Sequence, residues 1–316
     1  MMPMVIDQIL SVAQLLWTQR DRFPGWHGYG WQGPASRPTV TFLTDLATKG
    51  ALYDAIAPYR HLAPIKLIVS AKFRTLRTVT GRSGLPQVQP GSGIVATNGN
   101  CGVGPFGTLG AFLRRKDLDP SSPLWLLSNL HVLAGNANCA NPVTIESEDG
   151  TAISKTVKAA AKPHDGGKVD AAVALMDQGE TGIPNYAALG IQSPDPIAVD
   201  TGAPVAKLGA ATGPRTGFVL FHLKQVNVLL QDLLVEATFN DQIAIAPESG
   251  NGPFLDDGDS GSLVASGGRP AGLLFAMKPH APDEDLQGNI GLANPFDAVL
   301  SELSASLGGQ WELALQ

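Results

Sequence analysis

Residues 256–264 read Asp256-Asp257-Gly258-Asp259-Ser260-Gly261-Ser262-Leu263-Val264. One serine sits on a glycine turn that runs straight into an apolar strand. A serine hydroxyl is a weak nucleophile by itself, so the turn acquires chemical meaning only if a base and an orienting acid stand elsewhere in the chain. The neighbouring Asp256 and Asp257 read as solvated turn carboxylates.

The base candidate is His131, in Pro123-Leu-Trp-Leu-Leu-Ser-Asn-Leu-His131-Val-Leu-Ala. An apolar strand ends at Ser128-Asn129 and the imidazole follows, which places it at the rim of a core. Alone, such a histidine reads as a structural residue; beside Gly-Asp-Ser-Gly-Ser it becomes the base. The acid candidate is Asp170, heading the apolar run Ala171–Leu175, an unusual residue for a strand. A carboxylate there can accept the imidazole Nδ1–H and set its tautomer. Asp165 lies in a glycine turn where local backbone bonding explains it, and Asp177 lies past the strand.

The chain has 316 residues, enough for a large β unit and a smaller module. Gly (36) and Pro (24) make up about one residue in five, which fits short strands joined by turns. The net charge of −6, with no Lys/Arg-rich run, gives no argument for nucleic acid or an anionic membrane. No stretch reaches the roughly 18 apolar residues of a membrane span. The N-terminus has no basic region ahead of an apolar one and does not read as a signal peptide. With only two cysteines, Cys101 and Cys139, a cytoplasmic location is the expectation; the pair is read as free thiols or as a disulfide across the histidine strand. The six histidines and two cysteines show no metal-ligand spacing, so neither metal nor cofactor is expected. Gly102-Val-Gly-Pro-Phe-Gly107 satisfies a dinucleotide-loop pattern literally, but a strand-like run follows it instead of a helix.

Residues 1–88 read as a small α+β module of unknown role. Apolar residues from Ile6 to Trp17 fall at helical spacing, Arg22–Pro38 reads as irregular, Thr39–Leu46 as a strand, Lys49–Tyr59 as a helix and Ile65–Ser70 as a buried strand. Gly81–Gly93 reads as a linker. Beyond it come short strands, among them Gly107–Leu113, Gly217–Leu223, Leu233–Ala237 and Gln242–Ala246. A helix over Pro295–Leu307 ends the pattern. Barrel and sandwich are both compatible with such a series.

The order His131, Asp170, Ser260 resembles that of the chymotrypsin-like peptidases. The resemblance extends to Gly107-Thr-Leu-Gly-Ala-Phe112, to Leu127-Ser-Asn-Leu-His-Val-Leu-Ala134, to Val169-Asp-Ala-Ala-Val-Ala174, to Lys207–Gly217 and to Ala293-Asn-Pro-Phe296. These contexts are similar to a bacterial group related to the plant narrow-leaf-type trypsin-like peptidases, and the match covers roughly 88–308. It implies a mainly β fold of two six-stranded antiparallel β-barrels, about 94–200 and 201–294, with a C-terminal helix. It implies a serine endopeptidase with Ser260 as nucleophile, His131 as base and Asp170 as orienter, acting on protein or peptide substrates. The N–H groups of Gly258 and Ser260 would form an oxyanion hole, with donors worth about 2.7–4 kcal/mol each. Asp259 would pair with an internal Arg or Lys. Phe254 and Leu255 would floor the specificity pocket, and Phe275 and Ala276 would wall it. The N-terminal module lies outside the resemblance and is left unassigned by it; a separate reading gives it regulation, through a partner or self-association. The alternative is a catalytically silent protease-fold module that binds peptides.

Overall fold

A computed structural model describes residues 3–33, 38–75, 87–98, 102–119, 121–134, 143–159, 169–230, 235–250, 252–278 and 289–316. Cys101, Cys139, Asp165 and residues 81–86 of the expected linker lie outside these residues.

The N-terminal part contains α1 (Pro3–Trp17), β1 (Trp26–Gln32), β2 (Thr39–Thr44), α2 (Lys49–Ile56), β3 (Ile65–Val69) and β4 (Phe73–Thr75). β2, α2 and β3 form a parallel βαβ unit, and β1 pairs antiparallel with β2. The period-2 alternation of β2 divides its side chains. Val40 and Phe42 join Ala13, Trp17, Trp26, Tyr29 and Leu52 in a core with the helices. Leu43 faces the other way, into a second cluster with Phe221, Phe239 and Phe275.

The expectation of irregular chain over 22–38 is overturned by β1. Gly28 and Gly30 disguise it as a loop, yet they are what lets it form. A Cβ at Gly30 would run into the backbone carbonyl of His222, and one at Gly28 would meet that of Gln225 at a tight 3.2 Å. The bulge between Tyr29 and Gly30 sits at the same approach.

The middle of the chain carries β5 (Gly93–Asn98), β6 (Gly102–Thr108), β7 (Ala111–Arg115), β8 (Trp125–Ser128), α3 (Leu130–Leu133), β9 (Thr144–Ser147), β10 (Ala152–Ser154), β11 (Thr156–Ala159) and β12 (Ala172–Leu175). Two sheets form, ordered β10-β9-β5-β6 and β11-β12-β8-β7, and the expected strand 107–113 breaks at Leu109-Gly110 to pass from one to the other. They share a core in which Ile94, Ala96 and Ile145 meet Phe112, Leu126, Ala172 and Ala174.

The remainder holds β13 (Pro204–Gly209), β14 (Gly213–Leu230), β15 (Val235–Pro247), β16 (Leu263–Ser266), β17 (Arg269–Lys278), β18 (Ile290–Pro295), α4 (Phe296–Leu307) and β19 (Trp311–Leu313). β19 returns to the edge of β7. The pairings β13-β16-β17-β18-β15-β14 close on themselves because β13 also pairs with β14. The protein is therefore mainly β, and its C-terminal half contains a closed ring of six strands.

β14 and β15 are longer than the sequence suggests. Val235–Ala237, the described part of one expected strand, and Gln242–Ala246, the other, belong to a single strand, interrupted only in appearance by the polar Thr238, Asn240 and Asp241, the last at φ 57°. The far ends of β14 and β15 extend past the ring. β1 adds to β14 there, so the N-terminal strands and the ring share one ten-stranded sheet.

Candidate active site

The site lies where the two β units meet. Their interface buries Val169, Ala171 and Val173 against Leu263, Ala265 and Leu273, with Phe296, Val299 and Leu303 of α4.

β8 ends at Ser128, and α3 begins after Asn129, whose extended backbone turns the chain. That turn presents His131. Asp170 stands two residues before β12, which pairs with β8, so the two chain segments run side by side at their ends. The His131 Nδ1–H donates to Asp170 Oδ2 at 2.5 Å, and its backbone N–H donates to Oδ1 at 3.3 Å. With the proton on Nδ1, Nε2 accepts the Ser260 hydroxyl at 2.8 Å. The three candidates are thus one hydrogen-bonded line. Ser260 is 1% exposed and Asp170 2%.

Two asparagines that sequence reasoning missed hold Asp170 in place. Asn129 Nδ2 donates to the Asp170 carbonyl at 2.8 Å. Asn294 of β18 accepts the Asp170 N–H at 3.3 Å and donates to Leu273 O at 3.4 Å. Asn294 thereby ties the acid of one unit to the barrel of the other. It lies within the quoted Ala293-Asn-Pro-Phe296 segment, but nothing in its spacing pointed to Asp170.

The serine turn is held from both sides. Gly258 takes φ +98° and Gly261 φ +91°, left-handed conformations that favour glycine. Thr108, also missed, donates its N–H to Ser260 O at 2.7 Å and its hydroxyl to Gly258 O at 2.9 Å. Among the described residues, the N–H groups of Gly258 and Ser260 meet no acceptor, whereas the Asp259 N–H between them is taken by Asp256 O.

Asp259 points away from the serine into a buried polar nest. Lys207 Nζ donates to its Oδ2 at 2.7 Å, with both side chains wholly buried. Thr212 donates its hydroxyl to Oδ2 at 2.7 Å, and the N–H groups of Ala211 and Thr212 donate to Oδ1. Burial pushes the Lys207 pKa below the ordinary lysine value, and the Asp259 charge opposes that shift. The internal cation expected for Asp259 is Lys207.

The expected pocket residues are placed differently. Phe254 and Leu255 are fully buried in the barrel core with Val205, Val219, Ile245 and Val264. Phe275 packs on Phe239 with ring centroids 4.7 Å apart, and Ala276 is equally buried. None of the four presents a side chain to a surface pocket. β17 is buried on both faces over nearly its whole length, so its apolar run reports core position. Asp257 is corrected as well: it is a partly buried partner of Arg74, with Nη1 3.1 Å from Oδ1.

No protein-family model matches the chain, and no curated protein matches it in sequence. Solved structures similar in fold are chymotrypsin-like serine proteases. Protease A of Thermobifida fusca aligns over 73% of this chain and 100% of its own, at 16% identity and a TM-score of 0.46. The chymotrypsin of Cellulomonas bogoriensis aligns over 73% and 100%, at 13% identity and the same TM-score. A glutamic acid specific serine protease aligns over 72% and 100%, at 13% and 0.46.

Proposed function

We propose that this protein is a serine endopeptidase. The observation that carries the reading is the unbroken line Asp170 Oδ2–His131–Ser260 Oγ, with distances of 2.5 and 2.8 Å, beside two backbone N–H groups on a turn of positive φ.

The chemistry follows from that arrangement. Ser260 Oγ attacks the scissile carbonyl while His131 Nε2 takes its proton. Asp170 holds the tautomer and stabilises the imidazolium. The N–H groups of Gly258 and Ser260 receive the oxyanion. His131 then gives its proton to the leaving amine, leaving an acyl-enzyme on Ser260. A water attacks that ester by the same route in reverse. The pairing of Asp259 with Lys207 supports this reading, because it fixes the turn between the two donors. Kinship with the narrow-leaf-type group belongs to the same proposal and rests on the quoted motif contexts.

The test is a fluorophosphonate probe followed by peptide mapping, with peptide-library turnover alongside. The expected result is a single adduct on Ser260, with labelling and turnover both lost in Ser260→Ala. Peptide binding without labelling or turnover would favour the silent peptide-binding module instead.

A further inference from the structure

The edge of β17 that leads away from Ser260 is already occupied. β18 covers one edge of this strand from Gly272 to Lys278. On the opposite edge, β16 pairs as far as Leu273, and Leu274 then exchanges backbone hydrogen bonds with Gly261 and Ser262, the residues that follow the nucleophile. The next positions along that same edge, Ala276 and Met277, pair antiparallel with Thr75 and Arg74 of β4. β4 thus extends, in line, the row of backbone contacts that the serine turn begins.

An extended peptide that reaches an acylating serine from a neighbouring strand does so by adding to that strand's open edge, because only there can its backbone groups be satisfied. We propose that residues Phe73–Thr75 are a built-in occupant of the peptide-docking edge, so that the chain inhibits its own reaction with extended peptides. This rests on Ser260 being the nucleophile.

Three features hold the occupant. Phe73 is fully buried among Phe221, Phe239 and Phe275. Its other edge pairs with Val228 and Leu229, on the part of β14 that outruns the ring. Arg74 grips Asp257, three residues before Ser260, in a partly buried ion pair. The near-complete burial of Ser260 agrees with a covered site. The long hairpin of β14 and β15 thereby gains a purpose, since its far end carries the strand that occupies the edge of β17. An edge released in about one molecule in a hundred would lower apparent peptide affinity about a hundredfold.

The test uses the full chain, as wild type, Arg74→Glu and Thr75→Pro. Each is assayed with single-residue esters and with four-residue esters sharing the same final residue, and each is titrated with a small fluorophosphonate. Expected in the wild type is labelling of Ser260 with little gain in kcat/KM on lengthening the substrate. The variants should gain at least tenfold on the longer ester and little on the shorter. A wild-type gain of tenfold or more with length overturns the proposal, as do folded variants with no gain. If both variants fail to fold, the wild-type length series decides alone. Absence of labelling and ester hydrolysis in all three forms overturns the reading of Ser260, and the proposal falls with it.

Discussion

Lys207 Nζ and Asp259 Oδ2 stand 2.7 Å apart with no exposure of either side chain, and Asp259 immediately precedes Ser260. An ion pair so placed cannot be broken one side at a time without leaving a charge in the core, which costs about 3–5 kcal/mol. Lys207→Met is expected to lose stability on that scale, read as a fall in the urea midpoint. It is also expected to slow fluorophosphonate labelling, because Asp259 holds the turn between the N–H groups of Gly258 and Ser260. The double variant Lys207→Met with Asp259→Asn removes the orphaned charge. It should regain much of the stability while labelling stays slow. Equal recovery of both would show that the pair serves folding alone.

Asp170→Asn keeps the size of the side chain and removes its charge. The backbone contacts of residue 170 to Asn129 and Asn294 do not involve the carboxylate, so the fold should persist. The amide can present its NH2 to Nδ1, which moves the imidazole proton to Nε2 and leaves Ser260 without an acceptor. A fall in kcat of about four orders of magnitude is expected, with the melting temperature little changed. Asn294→Ala should act more mildly, since it removes two neutral hydrogen bonds, each worth about 0.5–1.5 kcal/mol, and leaves the triad carboxylate in place. Stopped-flow acylation of both variants checks the ranking.

The residues of the candidate site that were legible are those whose chemistry conflicts with their local context. An aspartate heading an apolar run, a histidine ending a strand and a serine among glycines each break a packing pattern, so each stands out in one dimension. Lys207, Asn294 and Thr108 break nothing nearby. Lys207 takes the inward register of β13 with Val205 and Gly209, but between Ala206 and Leu208 it reads in sequence as an outward residue, and its partner lies 52 residues away, so only the closed ring brings the two together. The pocket residues are hard to read for a related reason. Residues such as Phe275 and Ala276 are as apolar when they fill a barrel as when they line a pocket, and periodicity does not separate the two in a strand buried on both faces. β1 was illegible because its glycines answer the backbone of β14, some 200 residues further along the chain, and not a local turn.

His27 offers a pH test remote from Ser260. It is buried in β1, with Nδ1 3.0 Å from Gly25 O and Nε2 2.9 Å from Ser70 Oγ. Burial lowers its pKa from 6.5 to about 4. The unfolded chain therefore binds this proton at a higher pH than the folded one. The stabilisation is fully present above pH 6.5 and is lost as pH falls from there to about 4, amounting to roughly 3 kcal/mol. His27→Gln should flatten this part of the stability–pH profile, measured by urea unfolding at steps between pH 7 and pH 4. A variant that declines as steeply as the wild type would assign the loss to other groups.

The two positive-φ glycines flanking Ser260 should separate catalysis from folding. Gly258 carries one proposed oxyanion donor, at φ +98°. Alanine there meets the penalty of a left-handed backbone, about 1–2 kcal/mol, and relief of that strain turns the N–H away from the oxyanion. A rate loss of about 10²–10³ is expected beside a modest loss of stability. Gly261, at φ +91°, has the same backbone demand and a steric one besides: a Cβ there would strike Ser128 Oγ and the Thr108 carbonyl. Those two atoms already bond each other at 2.7 Å inside the core, so neither can yield cheaply. Gly261→Ala should therefore lose substantially more stability than Gly258→Ala. Urea midpoints and labelling rates of the two variants, measured together, test this. Gly258→Ala must be the more stable protein with a rate loss out of proportion to its stability, and the reverse order would remove Gly258 from the oxyanion site.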